Sequence, residues 1–360
     1  MLAALPGLCQ RGFEITVAGP TPGPLADAVA RTPAAWAPFP MRDAVGNRRP
    51  DDELRASLAK RITAHQPAVI HCNSLAATVN LGPLAAELGL PVIGHVRDMV
   101  KLGGRSLARL GRASRLVAVS HAARDYLCGL GVAATRIRVI YNGVDSECFR
   151  PREATGAVHR ELGLPDGSPL VLAVGQIILR KGWPILFDAF EQVLASEPQA
   201  RLLVVGERYS DKPETVALEQ NLRRRANGPP LAGKVVFLGA RDDMPRLMNE
   251  AAALVHAAMQ EPLGRVLLEA AASGLPVVAT DAGGTREIFL TDRHALLAPP
   301  QDATALASGV LSVLQDPSAA AARAAQARAH VCRHFTVRQA VQGMAETYQP
   351  MRRGNPAPHT

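Results

Sequence analysis

Two glutamates eight residues apart, Glu261 and Glu269, bracket the stretch of this chain best equipped for chemistry, Glu261-Pro-Leu-Gly-Arg-Val-Leu-Leu-Glu269. Gly264 sits where a loop should turn into a helix. Arg265 to Ala272 consists of strong helix formers, and Ser273-Gly274 supplies a stop. The first N–H groups of such a helix lack intrahelical partners and suit an anion such as a diphosphate. Carboxylates accept hydrogen bonds from paired hydroxyls, so both glutamates suit a sugar or a ribose. In a chain with 32 acidic residues the pair carries little weight by itself. His95 closes an apolar run in Gly94-His-Val-Arg-Asp98, with Arg97 and Asp98 just beyond. It has two equal readings, a ligand-facing imidazole or a buried histidine with satisfied nitrogens. His71 ends another such run, and Asn73 and Ser74 beside it read as polar lining of a site.

The elements that must position these residues are short runs rich in Val, Ile and Leu, alternating with helix-length segments. The first half has Glu14–Ala18, Ala68–His71, Val92–His95, Leu116–Ser120 and Arg138–Tyr141. The second half has Leu170–Val174, Arg201–Val205, Val235–Leu238, Ala253–His256, Pro276–Thr280 and Ala295–Leu297. Runs that are apolar throughout, separated by helices, predict parallel sheets covered on both faces. The pattern is α/β and occurs twice, so two doubly wound domains are expected. The predicted division is 1–145, 146–335, a helix over 336–348 returning toward the first domain, and a loose tail over 349–360. Asn142-Gly143 and Pro151 mark a linker near 143–152. Two domains of this kind facing each other would make a cleft, a favoured place for a substrate.

Composition narrows the classes. Nearly half of the 360 residues are hydrophobic, yet no uncharged apolar run approaches the roughly 18–20 residues of a membrane span. No signal peptide is read at the start. The five cysteines are far apart and form no C-x-x-C pair, which predicts reduced thiols in a cytoplasmic protein. His330, Cys332 and His334 lack an acidic third ligand and read as a solvated helix end, so no metal site is expected. Residues 1–165 carry 20 Lys+Arg against 13 Asp+Glu, whereas residues 166–360 carry 20 against 19, so the basic excess lies in the first half. Its partner would be an anionic membrane surface, a phosphorylated substrate or nucleic acid. Nucleic acid is disfavoured because Arg223-Arg-Arg225 has no interleaved aromatics. No G-x-G-x-x-G follows a strand, which argues against a dinucleotide-dependent oxidoreductase.

The second-half stretch as a whole resembles the signature of glycosyltransferase family 4, a retaining family with the GT-B fold. Glu261 with Glu269, Ser273 to Thr280, and Gly283-Gly284 with Glu287 match it in order. So do Val119-Ser120, the linker Asn142-Gly-Val-Asp145 with Phe149 and Pro151, Val174-Gly175 followed by Arg180-Lys181-Gly182, and Leu203-Val-Val-Gly206. The resemblance covers about residues 10 to 345 and implies transfer of a hexosyl group from a UDP-, GDP- or ADP-sugar, with no metal or other cofactor. No D-x-D triplet occurs. It implies that Lys181, helped by Arg180, neutralises the donor diphosphate, and that Glu261 binds donor-sugar hydroxyls and Glu269 the ribose. Backbone N–H groups around Leu263, Gly264 and Arg265 would hold sugar or phosphate, with Gly175 and Gln176 lining the donor loop. Gly283 and Gly284 would allow a close backbone approach. His95 falls where the family often has a histidine near the reacting carbon, with Asn73, Arg97, Asp98 and Ser120 on the acceptor side.

Two departures stand out. Gln176 occupies a position where the family usually has Arg, and the chain is expected to begin inside the family's first helix, lacking its first strand and Gly-rich loop. Two other readings are a non-catalytic relative that binds nucleotide and a nucleotide-sugar epimerase of the same fold. Arg97, Lys101, Arg105, Arg109 and Arg112 recur at helical spacing, but Gly103-Gly104 interrupts the run and is expected to delay the helix to near Arg105. These basic residues predict either a solvated basic face or one that docks on an anionic bilayer. On the docking reading the enzyme works at the inner face of the cytoplasmic membrane on a lipid-linked or cell-envelope glycan acceptor.

Overall fold

A run that is apolar at every position must be covered on both faces, and most of the predicted runs are strands of parallel sheets. The computed structural model describes residues 1–20 and 23–351. It divides into two compact units, Met1–Gly143 with the chain from Val337 onward, and Val144–Thr336.

The first unit holds β1 (Thr16–Gly19), β2 (Ala35–Pro38), β3 (Ile70–Cys72), β4 (Val92–Val96), β5 (Arg115–Ala118) and β6 (Ile137–Val139). Strands β3-β4-β5-β6 form one parallel sheet in that order, and β1 and β2 form a separate parallel pair. Strand β2 has no sequence signal, because its Ala-Trp-Ala-Pro is too short to show a period and ends in a residue that cannot donate to a ladder. Ile93 and Val117 from the centre of the sheet pack with Ala4 and Leu8 from the start of the chain. Val341, Met344 and Tyr348 of the helix Val337–Tyr348 complete that cluster. Helices start where Ser74 and Ser120 turn their hydroxyls back to accept from Ala77 N and Ala123 N, at 3.1 and 2.9 Å.

The helix runs over Gly104–Leu110, starting where Gly103-Gly104 is expected to delay it, so Lys101 precedes the helix and Arg112 follows it. Arg109 turns inward. It donates to the carbonyls of Val79 and Asn80 at 2.7 and 3.1 Å and pairs with Asp51 at 3.2 Å. Gly103-Gly104 delays the helix, and a cation that bonds two carbonyls and a carboxylate is no longer available to a surface.

The second unit is one six-stranded parallel sheet in the order β12-β11-β10-β7-β8-β9. Its strands are β7 (Leu170–Val174), β8 (Arg201–Val205), β9 (Val235–Gly239), β10 (Ala253–His256), β11 (Val277–Thr280) and β12 (Leu296–Ala298). From β7 the chain runs outward through β8 and β9, then crosses back to β10 and builds the other side. The switch point therefore lies between β7 and β10, which pair through Ala253 with Val171 and Leu254 with Leu172. Loops leaving neighbouring strands in opposite directions open a crevice there, at the carboxyl ends. Phe187, Phe190, Val193 and Leu202 anchor the core beneath it.

Candidate active site

The crevice is filled by the two loops that topology brings together. The loop after β7 runs through Gly175 and Gln176 to a short 3-10 turn, Leu179–Lys181, and then enters the helix Trp183–Ser196. Buried Trp183 clamps it by donating its indole N–H to the Gln176 carbonyl at 3.0 Å. The sharp exit requires Gly182, which has φ +68°. A Cβ there would lie 1.9 Å from the Ala257 carbonyl oxygen. The loop after β10 carries Glu261, and it is pinned by Gly284 N donating to the Glu261 carbonyl at 2.8 Å. Gly283, at φ +55°, presses so close that a Cβ would lie 2.1 Å from the same carbonyl oxygen.

These loops place Lys181 Nζ 2.5 Å from Glu261 Oε2. His256, the last residue of β10, sits with Nε2 2.8 Å from that same oxygen. Burial by itself would push the Glu261 carboxyl up in pKa. The His256 hydrogen bond and the Lys181 charge outweigh it, so the group is held well below the usual carboxylate range. His256 is lowered, first by burial and then by Lys181, against the pull of Glu261, so it is neutral and donates its Nε2 proton. Both donors converge on Oε2, which leaves Oε1 to accept from a bound hydroxyl.

The helix Arg265–Ala272 starts beside this cluster, with Gly264 at φ +95° as its N-cap. Its first-turn N–H groups are those that a helix leaves for a ligand. One turn in, Glu269 pairs with the exposed Arg265 at 3.1 Å. Burial raises the Glu269 pKa and Arg265 opposes that rise. Among the described residues no group of three or more His, Cys, Asp or Glu is placed to hold a metal.

A curated relative, the D-inositol 3-phosphate glycosyltransferase of Xylanimonas cellulosilytica, is 31% identical over 306 residues, 77% of this chain and 70% of its own length. The chain belongs to glycosyltransferase family 4. The "Glycosyltransferase Family 4" model matches residues 2–147 and the "Glycosyl transferases group 1" model matches residues 155–330. A GDP-mannose-dependent monoacylated alpha-(1-6)-phosphatidylinositol monomannoside mannosyltransferase from Corynebacterium glutamicum is 34% identical over 202 residues, 53% of this chain and 50% of its own. The chain spans about half the length of several curated relatives it matches. Among solved structures, HepE of Anabaena in complex with UDP-glucose is 25% identical. Its TM-score is 0.83, and the match covers 97% of this chain and 94% of that one. The two parallel-sheet units are thus those of the GT-B fold.

Of the family 4 positions read from the sequence, Gly175, Gln176, Arg180, Lys181, Glu261, Leu263, Gly264, Arg265 and Glu269 lie in the second unit on the two loops and the helix just described, and Gly283 and Gly284 lie on the loop after β11 that packs against the Glu261 loop. Arg180 lies close enough to His256 for its charge to depress that imidazole. In the first unit His95 lies in β4, buried to 3% exposure, and Asn73 is exposed beside β3. Arg97 and Asp98 follow β4 and are half-buried. Ser120 is fully buried and serves as a helix cap. His256 is not marked as a site residue by the sequence, because it ends an apolar strand and belongs to no motif. The one signal was its place five residues before Glu261.

Proposed function

We propose that this family 4 chain transfers a hexosyl group from a nucleotide-sugar donor to an acceptor with retention of anomeric configuration. The observation that carries the reading is the Lys181–Glu261–His256 cluster at the switch point of the second sheet. Departure of a nucleoside diphosphate builds negative charge on the leaving oxygen. Preorganised cations in a partly dry site stabilise that charge without reorganising. Lys181 and Arg180 supply it, so the proposal needs no metal ion. Glu261, kept ionised by its two donors, uses its remaining oxygen to hold sugar hydroxyls, while Glu269 receives ribose hydroxyls and the N–H groups of Leu263, Gly264 and Arg265 hold phosphate or sugar. Gln176 brings no charge, which leaves Arg180 as the second cation.

The relatives' names support UDP- or GDP-linked donors. The Corynebacterium relative, named for a mannolipid acceptor, supports a lipid-linked or cell-envelope glycan. We extend this to peripheral work at the inner face of the cytoplasmic membrane, drawing on the first-half basic excess with Lys101, Arg105 and Arg112 exposed near one helix. No helix among the described residues is long and apolar enough to cross a membrane. The test is thermal stability of the purified protein against a panel of UDP-, GDP- and ADP-sugars. A ligand at about a hundred times its Kd adds roughly 2.7 kcal/mol to the native state, so the true donor raises Tm and the others leave it unchanged. No shift with any of them would remove the proposal.

A further inference from the structure

Three histidines that the chain keeps apart meet in the second unit, and none of them belongs to the donor site. His330 and His334 lie one turn apart at the end of the helix Pro317–His334, and the loop before β12 brings His294 onto them. The His294 and His330 rings stack, with centroids 4.8 Å apart and planes 24° apart, and the His330 and His334 rings lie 4.7 Å apart. The sequence marks only a solvated helix end here, because the third imidazole comes from another element. His330 is half-buried and also meets the ring of buried Phe335, with centroids 5.9 Å apart.

Phe335 ties this cluster to the passage of the chain between its two units. The chain enters the second unit at Val144 and leaves it after Thr336. Val144 N donates to the Phe335 carbonyl at 2.8 Å, and Val144 bridges Thr336 in parallel. The entering and leaving segments are therefore clasped to each other at the residue that His330 packs against.

The surroundings offer a positive charge nothing. None of the three rings has a carboxylate partner among the described residues. On their own helix Arg323 and Arg328 donate to the carbonyls of Asp292 and Ala272 at 2.8 and 3.1 Å, and Arg333 is exposed. On the His294 loop the Asp292 carboxylate acts on Arg286, and Arg293 is exposed. On the neighbouring helix Arg265–Ala272, Arg265 and Glu269 pair with each other. At the clasp Asp145 accepts from Glu147 N and Cys148 N, and Arg338 is exposed. Burial lowers the pKa of His294 and of His330, and for His330 the charges of His294 and His334 push the same way. A group held low in the folded state contributes stability that is complete above its ordinary value, 6.5 here, and is lost as pH falls below it.

We propose that the His294–His330–His334 stack is an acid-sensitive latch on the Val144–Phe335 clasp. Neutral rings hold Phe335 in place. Protonation of neighbouring rings drives them apart and frees the segments by which the chain passes between its units. His71 and His256 are also held low by burial, so a global loss of stability with acid does not report on the latch, and the test must be local.

The experiment is amide hydrogen exchange of the full chain by NMR without substrate. Protection factors are read at Val144 N–H, with the amides of β7 as the reference for global opening. From about pH 7.5 to about 5.5, Val144 protection is expected to fall relative to β7 by about tenfold for each ring released to its ordinary pKa. His330→Phe keeps a ring against Phe335 and removes the proton, so the fall is expected to vanish. The His330 ring signals, followed in parallel, are expected to titrate below 6.5 and to move toward it in His294→Gln, which removes a like charge and a covering ring. This second variant keeps the proposal open to test if His330→Phe does not fold. Val144 protection that tracks β7 at every pH overturns the proposal, as does an undiminished fall in folded His330→Phe. A His330 titration that His294→Gln leaves unmoved also overturns it. Every arm is scored without a sugar, so failure here leaves the glycosyl-transfer reading standing.

Discussion

Replacing Lys181 by alanine separates its two roles, holding a buried carboxylate and facing the donor diphosphate. Lys181 and Glu261 meet at 2.5 Å with side-chain exposures of 15% and 7%. Removing one partner of a buried pair costs about 3–5 kcal/mol. Here His256 still donates to Glu261 and the lysine is partly solvated, so the expected loss of stability is about 2 kcal/mol, below that range. The expected loss of turnover is larger, about 10²- to 10³-fold, because a preorganised donor aimed at developing charge contributes about 2.7–4 kcal/mol to the transition state. Donor binding weakens as well, since the diphosphate is charged before the bond breaks. Adding Glu261→Gln removes the unpaired charge, so Lys181→Ala/Glu261→Gln regains most of the stability lost in Lys181→Ala while turnover stays low. By contrast Glu261→Ala, which leaves the cations in place, mainly lowers turnover. Urea unfolding gives the stabilities, and initial rates with the donor found by thermal shift give turnover. Wild-type kinetics in Lys181→Ala would refute the assignment. A double variant that recovered rate together with stability would reduce Lys181 to a structural partner of Glu261.

Gly283→Ala forces a Cβ to within 2.1 Å of the Glu261 carbonyl at φ +55°. It should cost about 1–3 kcal/mol and lower turnover by displacing Glu261, and an unaltered Tm in thermal melts would show that the loop yields freely. Acid should destabilise the protein through His71. Its folded pKa of about 3 lies below its ordinary value of 6.5, so its contribution is complete above pH 6.5 and is lost as pH falls from there toward 3. The slope approaches about 1.4 kcal/mol per pH unit. His71→Gln should flatten the stability-versus-pH curve over that range, and parallel wild-type and variant curves in urea titrations would contradict the burial argument. Co-sedimentation with anionic liposomes should occur at low salt and fade at high salt and in the Lys101→Glu/Arg105→Glu/Arg112→Glu variant. Arg109→Glu is left out because Arg109 is bound inside the unit, and an absence of low-salt binding would favour a soluble acceptor.

What the sequence determined by itself was local or periodic. Runs such as Leu170–Val174 and Leu202–Val205 are apolar at every residue, and short strands covered on both faces satisfy that pattern. Gly264 announced a loop-to-helix turn, where positive φ is expensive for other residues, and the structure puts it at φ +95°. The motif residues Lys181 and Glu261 could be named, but not as an ion pair. They stand 80 positions apart and meet because β10 returns to pair with β7. That return is a matter of sheet order, and no local signal encodes it. His256 shows a milder limit, since an apolar strand's last residue becomes a site residue only when its own following loop turns Glu261 back onto it, at 2.8 Å. Helical spacing grouped Arg109 with its basic neighbours, yet spacing carries no information on which side faces protein, and the carbonyls of Val79 and Asn80 decided that. The longest step is the hydrogen bond between Tyr348 and His71 across 277 positions. Each residue is unremarkable where it stands in the chain. Their pairing exists because the helix Val337–Tyr348 packs on Ile93 and Val117, and long-range contacts of that kind are settled by the shape of a whole core.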